Sequence, residues 1–292
     1  MNARSLINIA LLVIIIALAS FIMWNNNSNS YLKLKLTDLD KSEIKTITIT
    51  RDKGDIVIQL TSTGWMMNSP YNTAAHDFRI NQLLNLTQLI AENSYDVDDL
   101  DLSKFNLAPS DTNIMFNTTL LEFGKTNPVS LLRYVKSGKK LYLVKDNLYP
   151  LLRSQPSSFI SLSLLPESSQ IKSIALPGFS LIKDTDKSWT TTPDQKASAD
   201  AIQSFIQQWQ NAKAFGVHAY MERKNLGQIR IELDNELISY EITDDAPWLI
   251  LARRDLGLEY HLDKSQLAAL LDMPAPISDP TPATNKEIEN SN

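Results

Sequence analysis

An internal repeat constrains the fold of this chain more than any other sequence feature. The segment Lys41–Ile49 returns as Ser168–Leu176, roughly 120 residues later, with apolar and polar residues in the same order. Both segments are predicted to be β-strands. In each copy a tryptophan, Trp65 or Trp189, then stands shortly before a proline. The chain is therefore predicted to contain two copies of one folding unit.

Each copy continues with one helix and then with further strands. Apolar residues at helical spacing predict helices over residues 78–90 and 201–212, with Asp77 and either Ser198 or Asp200 near their starts. Alternating residues predict strands near 55–61, 114–116, 120–123, 131–135 and 141–144, and near 179–183, 229–233, 237–242, 248–252 and 258–262. Short helices over 147–152 and 265–271 close the copies. The predicted fold class is α+β: an N-terminal transmembrane helix followed by two tandem, duplicated, mostly antiparallel lobes.

The N-terminal segment predicts a membrane anchor. Leu6–Trp24 contains no charged residue and would span about 28 Å as a helix, close to the hydrocarbon thickness of a bilayer. Ala17-Leu18-Ala19 has the small-x-small form of a signal-peptide cleavage site, which is the alternative. Either reading places the bulk of the chain outside the cytoplasm. We expect a single-pass protein of a bacterial inner membrane, with most of its mass in the periplasm.

These features divide the chain into five parts. The predicted ranges are 1–24 for the anchor, 25–31 for a polar linker, 32–155 and 156–272 for the two α+β repeats, and 273–292 for a disordered tail rich in proline and polar residues.

Composition excludes several classes of function. The net charge of −5 has the wrong sign for a general nucleic-acid binder, so no nucleic-acid partner is expected. The chain has no cysteine, which excludes disulfides, zinc–thiolate sites and thiol nucleophiles. Three histidines and eight glycines leave little material for histidine-rich metal sites or glycine-rich phosphate loops. No cofactor is predicted.

Several motifs together resemble a known family. They are the tryptophan-to-proline turns, the Phe105-Asn106-Leu107-Ala108-Pro109 step and the KLYLV edge at Lys140–Val144. Over roughly residues 40–270 the chain resembles domain-of-unknown-function family 4340, although Asn106 stands where that family usually has glycine. The resemblance implies an uncharacterised, membrane-anchored envelope protein, often found beside components of transport systems. It carries over no catalytic residue.

Two motifs invite a chemical interpretation but match it poorly. The acidic run from Asp96 to Asp101 could offer oxygen ligands to calcium, yet Asp101 and Leu107 occupy the positions where a helix-loop-helix calcium site needs glycine and glutamate. We expect a solvated acidic turn there. His76 lies near Asp77 and Ser69, but no nucleophile-elbow motif accompanies them, so we expect an exposed or capping histidine.

The remaining candidates are aromatic or charged. Core packing is predicted for four tryptophans, Trp65, Trp189, Trp209 and Trp248. Surface or edge positions are predicted for His218 and His261. Asp244 and Asp245 are predicted to face Arg253 and Arg254 across a hairpin, either as ordinary surface ion pairs or as a patch that docks a partner.

Three functions remain open from the sequence. The preferred one is a non-catalytic, membrane-tethered binding or scaffold module whose partners are the lipid bilayer and an integral membrane transport protein. The second is an envelope hydrolase that uses Glu122 with Asp101 or Asp244 between the lobes, which requires two carboxylates about 5–10 Å apart. The third is a small-ligand receptor with its ligand held between the lobes.

Overall fold

The computed structural model of the chain describes residues 10–21, 34–145, 147–186 and 188–273. Residues 10–21 form helix α1, whose large apolar side chains are each between 53% and 63% exposed. Within these described ranges, no helix has both the length and the apolarity needed to cross a bilayer. The predicted ends of the anchor, Leu6 and Trp24, lie outside the described residues, as do the predicted linker and the tail beyond Met273.

The first unit is built on a ten-stranded antiparallel sheet. Its strands, in chain order, are β1 Leu34–Lys35, β2 Thr46–Arg51, β3 Ile56–Thr61, β4 Gly64–Ser69, β5 Thr73–Ala74, β6 Ile90–Asp96, β7 Thr112–Phe116, β8 Thr119–Thr126, β9 Arg133–Ser137 and β10 Lys140–Val144. Across the sheet their order is β1-β6-β10-β9-β8-β7-β2-β3-β4-β5.

The second unit is built on an eight-stranded antiparallel sheet. Its strands are β11 Ile171–Ala175, β12 Ser180–Lys183, β13 Trp189–Thr192, β14 Gly216–Ala219, β15 Gly227–Leu233, β16 Leu237–Asp244, β17 Trp248–Arg253 and β18 Leu258–Asp263. Their order across the sheet is β13-β12-β11-β15-β16-β17-β18-β14. The fold is therefore mixed α+β with two antiparallel sheets. This confirms the predicted α+β class and the antiparallel arrangement of the strands.

The other helices are short and amphipathic. They are α2 Asp77–Leu84, α3 Tyr149–Leu152, α4 Ala199–Asn211 and α5 Ser265–Leu271, with 3-10 turns at Lys41–Glu43, Asn85–Gln88, Leu102–Phe105 and Pro156–Phe159. The hydroxyl of Ser198 caps α4 by accepting the amide N–H of Ala201 at 3.2 Å. On the apolar face of α4, Trp209 is fully buried and donates its ring N–H to the carbonyl of Leu270 at 3.1 Å. This bond joins α4 to α5.

The two sheets share one strand order. Reading the first sheet as β6-β10-β9-β8-β7-β2-β3-β4 and the second as β14-β18-β17-β16-β15-β11-β12-β13 places equivalent strands of the two units in the same positions. In chain order, α2 precedes β6 as α4 precedes β14, and a short helix follows the last strand of each unit. The first sheet has two additional edge strands, β1 and β5.

Six strands were not predicted from the sequence: the short edge strands β1 and β5, the tryptophan-containing strands β4 and β13, and the strands β6 and β14. The predicted helix over 78–90 ends at Leu84, continues as a 3-10 turn to Gln88, and gives way to β6. Along β6 only Ala91 is buried, so the strand carries no period-two pattern of apolar residues. The four-residue β14 likewise buries only Val217. Their pairing with neighbouring strands, rather than their own residues, defines β6 and β14.

A connecting segment, residues 153–170 between α3 and β11, joins the two units. Ala75 and Ile160 form a β-bridge, and the amide N–H of Ser161 donates to the carbonyl of Ala74 at 2.9 Å. Further along the same segment, Leu164 donates its amide N–H to the carbonyl of Ala212 at 3.1 Å. The apolar side chains of this segment belong to a hydrophobic core that includes buried residues of both units. The segment is thus bonded to the first unit at one end and to the second at the other.

A separate close contact in the first unit, between Gly124 on β8 and the backbone of Phe105, can be tested by substitution. A Cβ atom at Gly124 would lie 2.3 Å from the backbone carbonyl oxygen of Phe105, so Gly124→Ala must displace main chain. We expect it to lower the free energy of unfolding by about 1–3 kcal/mol in urea denaturation. The matched control is Gly178→Ala, because nothing lies within 4 Å of a Cβ there. Equal effects of the two substitutions would show that this close approach is wrong.

Candidate functional site

A cleft of about 580 Å³ lies between the two units beside the connecting segment. One wall is formed by residues 63–66 and 72–75 of the first unit, and the facing wall by residues 233–236 of the second. Ser161 and residues 163–170 of the connecting segment form its base, and Tyr260 contributes an aromatic ring. The lining therefore combines serine and threonine hydroxyls with leucine and aromatic side chains.

The charged groups of the cleft come from both units. The lining includes four acidic residues and one arginine: Asp77, Glu167, Asp234, Glu236 and Arg253. Asp234 forms an ion pair with Lys172 at 3.6 Å. Arg253 binds both carboxylate oxygens of Asp255, with its Nη2 atom at 2.7 Å and its Nε atom at 2.9 Å. The hydrogen bonds from Arg253 lower the pKa of Asp255 below its ordinary value. The arginine is thus held in place by a partner beside the cleft.

The predicted pairing of Asp244 and Asp245 with Arg253 and Arg254 was wrong. Asp244 lies opposite Ile250 in the β16–β17 ladder and accepts the amide N–H of Asp245 at 2.9 Å, so it caps its own turn. Arg253 instead binds Asp255, and Arg254 pairs with Glu241 at 2.8 Å. The two acids lie at the turn, whereas the arginines lie at the other end of β17. Of these four residues, Arg253 lines the cleft, and docking of a partner by this patch stays a prediction.

The carboxylates suggested for a hydrolase occupy three separate places. Glu122 on β8 pairs with the ammonium group of Lys136 on β9. Asp101 accepts the amide N–H of Ser103 at 3.2 Å and caps the 3-10 turn that follows, while Asp244 caps the end of β16. None of the three is among the described residues that line the cleft. Of the acids that do line it, Asp77 at the start of α2 was named only as a neighbour of His76 and as a helix-start residue. The other three, Glu167, Asp234 and Glu236, were not singled out from the sequence, because they lie in loops outside any motif.

The acidic run and His76 occupy ordinary structural positions. Asp96 at the end of β6 forms an ion pair with Lys140 at 3.1 Å. Among the residues that the structure describes, no group of three or more acidic or histidine side chains is arranged to hold a metal ion. His76 is the N-cap residue of α2, the position expected of a capping histidine. Its side chain, however, makes no capping hydrogen bond. Partial burial and the nearby Arg79 lower the pKa of His76.

A second polar cluster lies on the second sheet, and we call it the glutamate cluster: Arg223, His218, Glu259 and His261. Pairing of β14 with β18 places His218 opposite Glu259. The rings of His218 and His261 are 4.5 Å apart. This contact was not predicted, because it depends on strand β14, which was not predicted either.

Glu259 is the centre of this cluster and is only 1% exposed. Its Oε2 atom accepts from Arg223 at 2.5 Å and from the amide N–H of Met221 at 3.1 Å. Its Oε1 atom lies 2.8 Å from the Nε2 atom of His261. Burial alone would raise the pKa of Glu259, but the hydrogen bonds from Arg223 and His261 outweigh it and hold the pKa below its ordinary value. The buried charge is therefore fully compensated.

The tryptophans differ from one another in exposure. Trp209 is buried, and Trp65 and Trp189 pack partly buried against the core, in line with the predicted packing. Trp248 is half-exposed, so its predicted core position was wrong. It is the first residue of β17, and its ring lies 5.7 Å from that of the half-exposed Phe215. These two rings form an apolar surface beside the glutamate cluster.

Comparison with known proteins gives a family. The model of the family described as "Domain of unknown function (DUF4340)" matches residues 65–228, more than half of the chain. The chain belongs to the DUF4340 family. No curated protein and no solved structure matches it. The matched range of this DUF4340 protein runs from Trp65 through the connecting segment to the start of β15, so it includes one wall and the base of the cleft.

Glu259→Gln tests the glutamate cluster of this DUF4340 protein. The substitution keeps the shape of the side chain but removes the charge that binds Arg223, and we expect a loss of about 1–3 kcal/mol in the free energy of unfolding. Glu222→Gln is the control, because Glu222 is exposed and close in the chain. It should change stability by less than about 0.5 kcal/mol. A Glu259→Gln variant as stable as the control would contradict the compensation described here.

Stability should also depend on pH through His218. Partial burial and the neighbouring His261 lower the pKa of His218 in the folded state, so the unfolded chain takes up a proton first as the pH falls. His218 therefore destabilises the fold as the pH falls through its ordinary value near 6.5. We expect a lower Tm at about pH 5.5 than at about pH 7.5, and a smaller difference in His218→Gln. His76→Gln is measured beside it, because the pKa of His76 is lowered as well. An unchanged difference in His218→Gln would refute this role.

Proposed function

We propose that this protein is a non-catalytic binding module, tethered by its N-terminal segment to a bacterial inner membrane, that holds a segment of an envelope partner in the cleft between its two units. The observation that carries the proposal is the cleft itself. Its volume of about 580 Å³ falls within the range of about 300–1,000 Å³ that is typical of binding pockets. Both units and their connection contribute to its walls.

The lining suits a polar segment of a protein better than an anionic ligand. Arg253 is already bound by Asp255, and Asp234 by Lys172, while the acidic Asp77, Glu167 and Glu236 also line the cleft. The lining also includes side-chain hydroxyls, such as those of Ser161 and Ser163, and apolar side chains such as that of Trp65. Groups of this kind bind peptide backbone and mixed side chains through hydrogen bonds and apolar contact.

The tether is supported by α1. Its apolar side chains, among them Leu11, Ile15 and Phe21, are all more than half exposed. A continuous apolar surface of this size is rarely left to water and marks a contact with lipid or protein. Together with the uncharged segment Leu6–Trp24 in the sequence, it supports a bilayer as the environment of this part and a location of the folded units in the periplasm.

The duplication is supported by strand order. Eight strands of each sheet occupy equivalent positions, and the helices enter at equivalent points of the chain. We therefore propose that the two units descend from one ancestral unit by duplication. Tandem packing of two such units produces a cleft whose two walls are not identical, since β1 and β5 belong only to the first.

A small-ligand receptor is the second candidate, and the same cleft favours it, because the interface between the units is not filled by side chains. For the binding module, by contrast, the partner that we propose is a component of an envelope transport system. A crosslinker placed in the cleft would attach to a protein in the first case and to a small molecule in the second.

Photocrosslinking in cells tests the proposal. A benzoylphenylalanine residue is placed in the full chain at Ser163 or Glu236 in the cleft, or at Lys139 on the turn after β9 as a control. We expect both cleft positions, and not the control, to form an adduct with one and the same membrane protein. This adduct should resist extraction from the membrane by carbonate. Adducts at the control position alone, or adducts that carbonate releases, would refute the tethered module. A small-molecule adduct identified by mass spectrometry would favour the receptor.

A further inference from the structure

The loop between β8 and β9 presents apolar side chains to solvent. Within residues 127–132, Val129 is 92% exposed and Leu131 is 73% exposed. Both protrude from a tip that also contains Pro128 and Ser130. Val129 is the most exposed of the large apolar residues in the part of the chain that the structure describes.

A network of hydrogen bonds from Asn127 holds this loop in shape. Its Oδ1 atom accepts the amide N–H groups of Val129 at 2.9 Å and of Ser130 at 3.2 Å. Its Nδ2 atom donates to the hydroxyl of Tyr134 at 2.7 Å, and its backbone carbonyl accepts the amide N–H of Leu131 at 2.9 Å. The apolar tip is therefore a defined structure.

Leu131 adopts a backbone conformation that bulky residues avoid. Its φ angle is +59°, in the left-handed region where glycine and asparagine are usual. Such a conformation persists only where the surroundings impose it, and it is often found at functional positions. The loop accepts an unfavourable backbone at Leu131 and leaves that side chain in solvent.

The loop extends from the end of the first sheet where the chain enters it after α1. In the ladder, Leu34 is paired with Ala91, Ala91 with Val144, and Val144 with Arg133, the residue that follows the loop. Three strand spacings of about 4.8 Å place Leu34 roughly 15 Å from Arg133. A chain that runs from residue 21 to residue 34 reaches at most about 45 Å. The loop is within reach of a bilayer that holds α1.

Basic and apolar residues surround the loop on this side of the sheet. Lys125 precedes it, Lys145 follows β10, and Lys35 lies on β1, all of them exposed. Ile90, the partner of Lys35, is also exposed, while the acidic Glu92 lies two residues further along β6. Lysines around a small apolar tip suit the interface of an anionic bilayer, where the tip enters the acyl boundary and the ammonium groups meet headgroups.

We infer that the β8–β9 loop is a second membrane contact, which inserts Val129 and Leu131 into the interface of the bilayer that holds the N-terminal tether. The inference rests on the proposed tether. A lipid surface fits better than a protein partner, because two side chains at a narrow tip offer far less area than a stable protein interface buries. With two contacts, the first unit keeps a fixed orientation above the membrane.

The absence of cysteine from the chain makes a direct test feasible. The full chain is reconstituted into vesicles of phosphatidylcholine and phosphatidylglycerol, with one cysteine carrying an environment-sensitive fluorophore. The probe positions are Val129→Cys in the loop, Val13→Cys in α1, and Lys139→Cys at the opposite end of β9 as the control. Nitroxide-labelled lipid reports which probes touch the bilayer. Circular dichroism confirms that each labelled chain is folded.

We expect a blue shift and nitroxide quenching at position 129 and at position 13, and neither at position 139. We also expect Leu131→Asp to reduce the quenching at position 129 by at least about half, because a carboxylate at the tip opposes insertion. Quenching at 13 without quenching at 129 overturns the loop contact and leaves the tether standing. Quenching at neither position overturns the tether, and a shift at 129 without quenching shows that protein, rather than lipid, covers the loop.

Discussion

Backbone pairing of the connecting segment is the constraint on which the rest of the structure depends. Residues 159–164 bond to Ala74 and His76 on one side and to Ala212 on the other, and buried backbone groups must find partners of this kind. The apolar side chains of the same segment, Phe159 and Ile160 among them, are buried in the core that the two units share. One short stretch of chain therefore fixes both units, and the cleft lies directly beside it.

The sequence predicted those elements whose own residues carry a period. Strand β15 alternates buried and exposed side chains, and the closing helix was predicted as Ser265–Leu271, the bounds that the structure gives it. Strand β6 has no such pattern, because most of its residues are polar and exposed. Such a strand is held by its neighbours, and a single sequence does not contain that information.

The candidate sites were harder to predict than the fold, for the same reason. His218 and Glu259 meet only through the β14–β18 ladder, and the β16–β17 register, which shifts between Ile242 and Asp244, places Asp244 opposite Ile250 and away from Arg253. A shift of one residue changes which side chains face one another. Motif spacing therefore located neither the glutamate cluster nor the acids of the cleft, whereas the family resemblance, which depends on the order of elements, was confirmed.

Strand β1 gives the molecule a mechanical property. Any load applied to the chain ahead of Leu34 reaches the first sheet through the two-residue ladder between β1 and β6. Such an edge ladder has few bonds to break, so it would peel away while the other pairings of the sheet hold. The chain beyond it would lengthen by a few residues under tension, and the folded units would remain intact. Strand β1 thus acts as a yielding link between the chain ahead of it and the first unit.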